Sequence, residues 1–214
     1  MLHSTPNDLS TEAAALPPRR GAVLRHDVAA VVSAVIHPIV FPLVTILVIG
    51  MVVTHNNLPL TLFYAFLAVM LTAVPVSMVV YVQVKRGKWS DFDVSQRKQR
   101  YTLYPLTLLS LCLLSYVYYR IHARMEAVQA VLSLMMANLV NSFINLYWKV
   151  SAHATTAAAC AALLWQFAPT WGPPAAAGAV LVGWSRVELK RHTAGQVLVG
   201  WLVGASSALL LGRL

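Results

Sequence analysis

The chain has 214 residues, of which 58% are hydrophobic and only 11% are charged. Soluble globular domains carry about 25% charged residues, and a fold of this size cannot hide so much apolar surface from water. This composition excludes a soluble enzyme and a disordered chain, and it predicts a polytopic membrane protein. The formal net charge of +9 would suggest nucleic acid binding in a soluble protein. Here the basic residues lie between apolar segments, where the positive-inside rule and anionic lipid headgroups account for them, so no nucleic acid partner is expected.

The chain begins with a polar segment rich in proline and alanine, and we expect residues 1–28 to form a flexible tail. Residues 29–214 are expected to form one membrane-embedded helical domain. Its first apolar segment, residues 29–53, is long enough to cross a bilayer core of about 30 Å. Pro38 predicts a kink in this span, and the neighbouring His37 is interpreted as a hydrogen-bonded packing residue.

Six further apolar segments follow in chain order, at residues 58–84, 102–119, 127–148, 153–168, 172–184 and 193–211. The segments at 153–168 and 172–184 are short and rich in small residues, so they either cross the membrane at a tilt or are partly re-entrant. No segment alternates in the way that a strand requires. The sequence therefore predicts an all-α, polytopic membrane helix bundle with six or seven transmembrane helices.

Three polar segments between the apolar ones carry most of the basic and imidazole side chains. If each apolar segment crosses once, residues 85–101, 149–153 and 185–192 lie on the same side of the membrane. We therefore expect these three segments to converge at one membrane surface, which we call the motif side.

The converging segments contain the residue types that phosphoryl transfer needs. Guanidinium groups bind phosphate through two hydrogen bonds, and the helix N-terminus expected at Ser151 offers free N–H groups to an anion. Of two histidines from separate segments, one can attack phosphorus while the other protonates the departing oxygen. His153 and His192 are the candidates for these two roles.

The segment around His192 resembles the third motif of the type 2 phosphatidic acid phosphatase superfamily, a family of integral membrane lipid phosphatases. That motif reads Ser-Arg-x5-His-x3-Asp, and the chain has Ser185, Arg186 and His192 at the matching positions. Gln196 stands where the family has aspartate. A glutamine carbonyl can accept a hydrogen bond from the imidazole and fix its tautomer, but it cannot stabilise an imidazolium electrostatically.

The other two motifs of this family are matched less completely. Pro-Ser-Gly-His is matched in part by residues 150–153, which read Val-Ser-Ala-His. Lys-x6-Arg-Pro is absent, and a segment with Asp93, Arg97 and Arg100 stands in its place. The chain therefore resembles a divergent branch of the family.

The resemblance implies a role for each matching residue. His192 is the implied nucleophile that forms a phosphohistidine, His153 is the implied general acid, and Gln196 is the implied partner of the nucleophile. The implied phosphate-binding residues are Arg186, Ser151, Arg97, Arg100 and Lys149. The family needs no metal, so neither a metal site nor a cofactor is expected.

The implied function is hydrolysis of a lipid phosphate or an isoprenoid diphosphate, with the isoprenoid substrate preferred over a glycerolipid. One alternative is a membrane prenyltransferase-like enzyme that uses Asp91 and Asp93 with magnesium. Such sites usually need two separated aspartate clusters, and the chain has one. A second alternative is a non-catalytic membrane protein that binds anionic lipid.

Lys and Arg residues are concentrated on the motif side, and only Arg120, Arg124 and Arg213 fall on the other side. The positive-inside rule therefore predicts an integral protein of the plasma (inner) membrane whose active site faces the cytoplasm. The expected partners are the lipid substrate and the membrane, and no oligomeric state is predicted.

Overall fold

The computed structural model describes residues 20–212. In this range the chain forms α-helices joined by short turns and contains no strand, which confirms the predicted all-α class. The helices are α1 (Arg20–Val35), α2 (Val40–Val53), α3 (Leu58–Ala68), α4 (Val74–Lys85), α5 (Arg100–Arg120), α6 (Met125–Tyr147), α7 (Ala152–Phe167), α8 (Gly172–Glu188) and α9 (Ala194–Leu211). Residues 1–19 of the predicted tail lie outside the described residues. The described part of the predicted tail, residues 20–28, is helical and belongs to α1.

The first span is broken in the middle, as the proline in it predicts. Helix α1 ends at Val35 and α2 begins at Val40, and the two axes differ by 49°. The break occurs here because Pro38 has no N–H to donate and disfavours a helical conformation at the residue before it. That residue is His37, whose Nδ1 accepts a hydrogen bond from the backbone N–H of Ile39 at 3.3 Å.

The second span is nearly continuous from Leu58 to Lys85. Asn57 caps its start, since its side chain accepts a hydrogen bond from the N–H of Leu60. Between α3 and α4 the chain widens into one π-helical turn just before Pro75, where the missing proline N–H interrupts the regular pattern.

The crossing number agrees with the prediction when the short helices are included. The described residues contain four helices that are long and apolar enough to cross a membrane, or five with the bent α1–α2 pair as one span. Helices α7 and α8, of 16 and 17 residues, are shorter. Adding them to the five gives seven, and the protein is an integral membrane helix bundle.

Helix α7 lies at the centre of the bundle, packed against α8 and α9. Glycines on α9 allow this close approach. A Cβ on Gly200 would lie 2.8 Å from the carbonyl oxygen of Ser151, and one on Gly204 would overlap the carbonyl oxygen of Thr155. The contact places the N-terminus of α7 beside the N-terminus of α9, where the backbone N–H of Ser151 donates to the carbonyl of Gln196 at 3.3 Å.

Candidate active site

The three polar segments of the motif side meet, which confirms the predicted convergence. The Lys149 ammonium donates to the carbonyl of Arg191 at 2.9 Å, and the Arg191 guanidinium donates to the Ser95 hydroxyl at 3.2 Å. Arg97 donates to the carbonyl of Asn145, at the end of α6. These bonds join the α4–α5 loop, the α6–α7 turn and the α8–α9 turn into one surface.

The spacing between Arg186 and His192 is produced by the tight turn after α8. The backbone N–H groups of Arg191 and His192 both donate to the carbonyl of Arg186, at 3.1 Å each. Lys190 has a left-handed φ of 54°, which reverses the chain at this point. The turn therefore returns His192 to the level of Arg186, and α9 begins directly afterwards.

Gln196 fixes the tautomer of His192. The Gln196 Oε1 lies 3.0 Å from Nδ1 of His192 and also accepts the backbone N–H of Thr193 at 3.3 Å. Because an N–H donor requires an oxygen here, the amide presents its carbonyl to the imidazole, and Nδ1 must carry the proton. The lone pair of His192 is then on Nε2. The Thr193 hydroxyl accepts the N–H of Gln196 in return, which completes a capping box.

His192 is held in its neutral form. Burial and the neighbouring positive charges of Arg100 and Lys149 lower its pKa to about 3, although the hydrogen bond that it donates to Gln196 acts in the opposite direction. Arg186 adds a smaller effect of the same sign as the other cations. At neutral pH the imidazole is therefore an uncharged base with a free Nε2, which is the form that a nucleophile needs.

Arg186 is the most deeply buried charge near His192, with 1% of its side chain exposed. Its guanidinium donates to the hydroxyl of Ser33 at 2.7 Å and to Oδ2 of Asp93 at 2.9 Å. Its Nε has no hydrogen-bond partner among the described residues. A buried guanidinium with a donor to spare is suited to a phosphate oxygen.

His153 lies on the other side of Asp93 from Arg186. Its side chain is 6% exposed, and its Nε2 is 4.0 Å from Oδ1 of Asp93, too far for a hydrogen bond. Within the described residues this Nε2 finds no hydrogen-bond partner. The ring of His37 packs edge-on against the His153 ring at 5.4 Å between centroids. His37 therefore packs against His153, and its Nδ1 is hydrogen-bonded as well.

His37, Asp93 and His153 bring three potential metal-ligand atoms within 4.8 Å of one another. Two contacts favour a hydrogen-bonded charge cluster over a metal centre here. The carboxylate of Asp93 is already paired with Arg186. The Nδ1 of His37 accepts a backbone N–H, so in the neutral ring Nε2 carries a proton and has no lone pair for a cation.

The other implied phosphate-binding residues are placed around this centre. Arg100 is 3% exposed and donates to the carbonyls of Val94 and Val150, at 2.9 Å and 2.7 Å. Its charge and that of Lys149 reach His192, whose pKa they lower. Lys149 is partly buried, which lowers its own pKa. Arg97 donates only to carbonyls at the end of α6 in the described structure.

Ser151 is fully buried and caps α7. Its hydroxyl accepts the N–H of Ala154 at 3.3 Å. The same position at the start of a helix adds the positive end of the helix dipole next to His153. The phosphate-binding roles of Arg97, Arg100, Lys149 and Ser151 stay predictions.

Two cavities meet at Asp93 and His37. One, of about 340 Å³, is bordered by apolar side chains such as Val80 and Leu103 and by polar ones such as Thr107. The other, of about 510 Å³, lies between α1 and the α8–α9 turn, where Lys190 and Arg191 border it. An amphiphile with a charged head and an apolar tail fits this pair.

Ser33 and His37 come from the first span, and sequence reasoning missed their part in the site. The sequence predicted Asp93 only as part of a divergent first motif or, in the alternative function, as a magnesium ligand. The sequence signal that could have identified Ser33 and His37 is the proline kink, which places polar residues of the first span near the motif side.

On α6, two asparagines connect this helix to its neighbours. Asn141 accepts a hydrogen bond from the Thr155 hydroxyl, and Asn145 donates one to the backbone carbonyl of Arg97.

Comparison with protein-family models gives one match. Residues 140–214, about a third of the chain, match the PAP2 superfamily. The matched segment contains both histidine motifs, and this confirms the resemblance for them. Asp93, Arg97 and Arg100 lie outside it. No curated protein and no solved structure matches the chain. The family match supports a phosphatase-type function.

Proposed function

We propose that this chain, with a PAP2 superfamily segment at residues 140–214, is an integral membrane phosphatase that hydrolyses a lipid phosphate through a phosphohistidine. The observation that carries the proposal is the state of His192. Its Nδ1 proton is held by Gln196, its ring is neutral, and cations surround it. A neutral imidazole with its lone pair on Nε2, near the positive charges of Arg100, Lys149 and Arg186, is suited to attack on a phosphate.

In the first step, Nε2 of His192 attacks phosphorus and a P–N bond forms. The P–O bond to the lipid breaks, and the departing oxygen takes a proton from His153. Arg186 binds the equatorial oxygens, whose charge is spread in the transition state. Gln196 keeps the Nδ1 proton on His192 while positive charge develops on its ring.

In the second step, a water molecule gives a proton to His153, which is now neutral. The water oxygen attacks phosphorus, and the P–N bond breaks. Inorganic phosphate leaves, and both histidines return to their starting states. For a diphosphate substrate, the leaving group of the first step is the lipid monophosphate.

The substrate class follows from the two cavities at Asp93. An apolar cavity next to a cationic one favours a phosphate attached to a hydrocarbon chain. The apolar cavity is bordered by aliphatic side chains such as Val80 and Leu103 and also by polar ones such as Thr107 and Asn138. Within the class of lipid phosphates we propose an isoprenoid diphosphate as the preferred substrate over a glycerolipid, because a divergent segment with Asp93 replaces the first motif of the family.

Phosphate release by the purified protein tests this function. The assay uses isoprenyl diphosphate, phosphatidic acid and a matched neutral lipid, each with EDTA and with magnesium. We expect release from the lipid phosphates in EDTA. Activity that EDTA abolishes and magnesium restores would overturn the mechanism and favour the prenyltransferase-like alternative. That alternative is not favoured by the contacts, since Asp91 accepts hydrogen bonds from Ser95 and Asp93 pairs with Arg186.

We also propose that the site faces the cytoplasm of the plasma (inner) membrane. The proposal rests on the excess of Lys and Arg on the motif side. Two of the arginines in that count, Arg19 and Arg213, lie outside the described residues. A Ser90→Cys probe tests it in a variant that lacks Cys112 and Cys160. Ser90 is exposed on the motif side. An impermeant thiol reagent should label it only after the cells are opened, and labelling of intact cells would refute the orientation.

A further inference from the structure

The carboxylate of Asp93 lies against two of the groups that the proposed mechanism assigns to the reaction at the substrate phosphate, Arg186 and His153. One carboxylate oxygen accepts from the guanidinium of Arg186 at 2.9 Å, and the other faces Nε2 of His153 at 4.0 Å. These are the phosphate binder and the general acid of the proposed function. The carboxylate is thus an anion of the chain itself, in contact with the groups assigned to the substrate anion.

The pocket around Asp93 contains buried nitrogen atoms that the carboxylate leaves without a hydrogen bond. The Nε of Arg186 and the Nε2 of His153 are both buried, and neither has a partner among the described residues. A buried donor without an acceptor costs free energy. A phosphate carries three terminal oxygens in a tetrahedron, whereas a carboxylate has two in a plane. A phosphate can therefore reach donors that Asp93 leaves free.

Asp93 also stands between the two cavities of the site. It borders both the apolar cavity and the one next to Lys190 and Arg191. Its side chain is 28% exposed. It belongs to the α4–α5 loop rather than to a helix, so it can move without displacing a span.

We propose that Asp93 is a specificity-determining residue, whose carboxylate fills the phosphate pocket until the phosphate of a lipid substrate displaces it from Arg186. This inference rests on the proposed function and adds a selection step to it. Any phosphate must compete with Asp93 for Arg186. A lipid gains apolar burial that offsets the displacement, whereas a water-soluble phosphate does not. The carboxylate therefore excludes soluble phosphates from the site.

Binding of inorganic phosphate tests the displacement without turnover. The melting temperature of the purified protein is measured against phosphate concentration for the wild type, Asp93→Asn and Asp91→Asn. Asp91→Asn is the matched control, because it removes the same charge from the same loop, and its amide oxygen can still accept from Ser95. We expect Asp93→Asn to bind phosphate about tenfold more tightly or better, and Asp91→Asn to bind as the wild type does. Equal affinities in all three proteins would overturn the proposal.

Hydrogen exchange in the wild type gives a second test that does not depend on a variant folding. Saturating inorganic phosphate should increase backbone exchange in residues 91–96, because the loop loses its attachment to Arg186. Exchange in the rest of the protein shows whether phosphate has bound. If it has, unchanged or slower exchange in residues 91–96 would contradict displacement of Asp93.

Turnover assays separate this inference from the proposed function. A propyl phosphate and a long-chain alkyl phosphate are compared as substrates. Asp93→Asn should raise kcat/KM for both esters by a similar factor, because both phosphates must displace the same carboxylate in the wild type, and the short ester should become a measurable substrate. If the wild type hydrolyses the lipid but Asp93→Asn raises kcat/KM for neither ester, the displacement step is wrong and the function stands. If neither protein turns over any ester while Asp93→Asn still binds phosphate more tightly, the pocket assignment stands and the phosphatase function is wrong.

Discussion

The two histidines of the site differ in what surrounds them. His192 is held by a neutral amide, that of Gln196, within a capping box whose hydrogen bonds are satisfied. His153 faces the carboxylate of Asp93 and the guanidinium of Arg186, and its Nε2 has no partner among the described residues. His192 is therefore fixed and uncharged, whereas His153 lies in a charged pocket in which buried nitrogen atoms lack a hydrogen-bond partner.

This difference shows where the negative charge of the site lies. The family resemblance leads one to expect a carboxylate four residues after the nucleophile, and this chain has an amide there. Its carboxylate is on a separate loop, across the site, next to His153. In the proposed mechanism, the task of orienting the nucleophile, which an amide can do, is thus separate from the task of providing a negative charge, which it cannot do.

The largest effect is expected at the fixed histidine. His192→Ala removes the proposed nucleophile, and we expect kcat to fall by about four orders of magnitude or more, by analogy with the loss of other covalent nucleophiles. Phosphate release and phosphate binding are measured together, since binding should survive. His122→Ala, an exposed histidine in the α5–α6 turn, is the control. A near-native rate for His192→Ala would mean that the nucleophile is assigned wrongly.

For His153, which lies in the charged pocket, the loss of activity on substitution should depend on the leaving group of the substrate. His153→Ala removes the proposed proton donor, so alkyl phosphates should react about a hundredfold more slowly or worse. A nitrophenyl phosphate should lose much less, because its leaving oxygen needs no proton. The two substrates are compared in one preparation. An equal loss on both esters would contradict the general-acid role.

His153 lies at the start of α7 and His192 directly before α9, and these two helices are in close contact. A methyl group added between them should weaken this packing. Gly204→Ala places a Cβ against the backbone of Thr155, and we expect destabilisation of about 1–3 kcal/mol. The melting temperature measures it. Gly178→Ala is the matched control, since its Cβ would meet Phe41 and Ile36 at ordinary contact distances, 3.6 Å and 4.0 Å. Equal melting temperatures for the two variants would show that α7 and α9 are less tightly packed than described.

The smallest effect is expected when the neutral partner of His192 is replaced by a carboxylate. Gln196→Asp puts a carboxylate near His192, which favours the imidazolium and raises its pKa from about 3. More of the nucleophile is then protonated at a given acidic pH, so the acid limb of kcat/KM against pH should move upward by about one unit or more. Gln99→Asp adds the same charge on the motif side without a contact to His192. An unshifted limb in Gln196→Asp would mean that residue 196 does not act on His192.

The sequence predicts the local parts of the site better than the distant ones. His192 directly precedes the N-cap of α9 and Gln196 is in its first turn, so their contact follows from the local geometry of a capped helix start. The convergence of the three polar segments follows from counting spans. The contact of Asp93 with Arg186 joins a loop to a helix 93 residues away, and no periodicity encodes it. The same holds for Ser33 and His37, which depend on the angle of a kink and on which helices pack beside it. The start of α1 at Arg20 was missed because its polar residues resemble those of a tail.

The bend in the first span has a geometric consequence for the whole site. The half before the bend, α1, packs on α8, which carries Arg186, and the half after it, α2, packs on α7, which carries His153. One continuous piece of chain therefore touches both helices, and its 49° angle sets how far apart they can stand. The separation of the Arg186 guanidinium and the His153 imidazole then depends on the bend at Pro38, which itself borders the apolar cavity. Changing that angle would resize the proposed phosphate pocket without altering either of these two side chains.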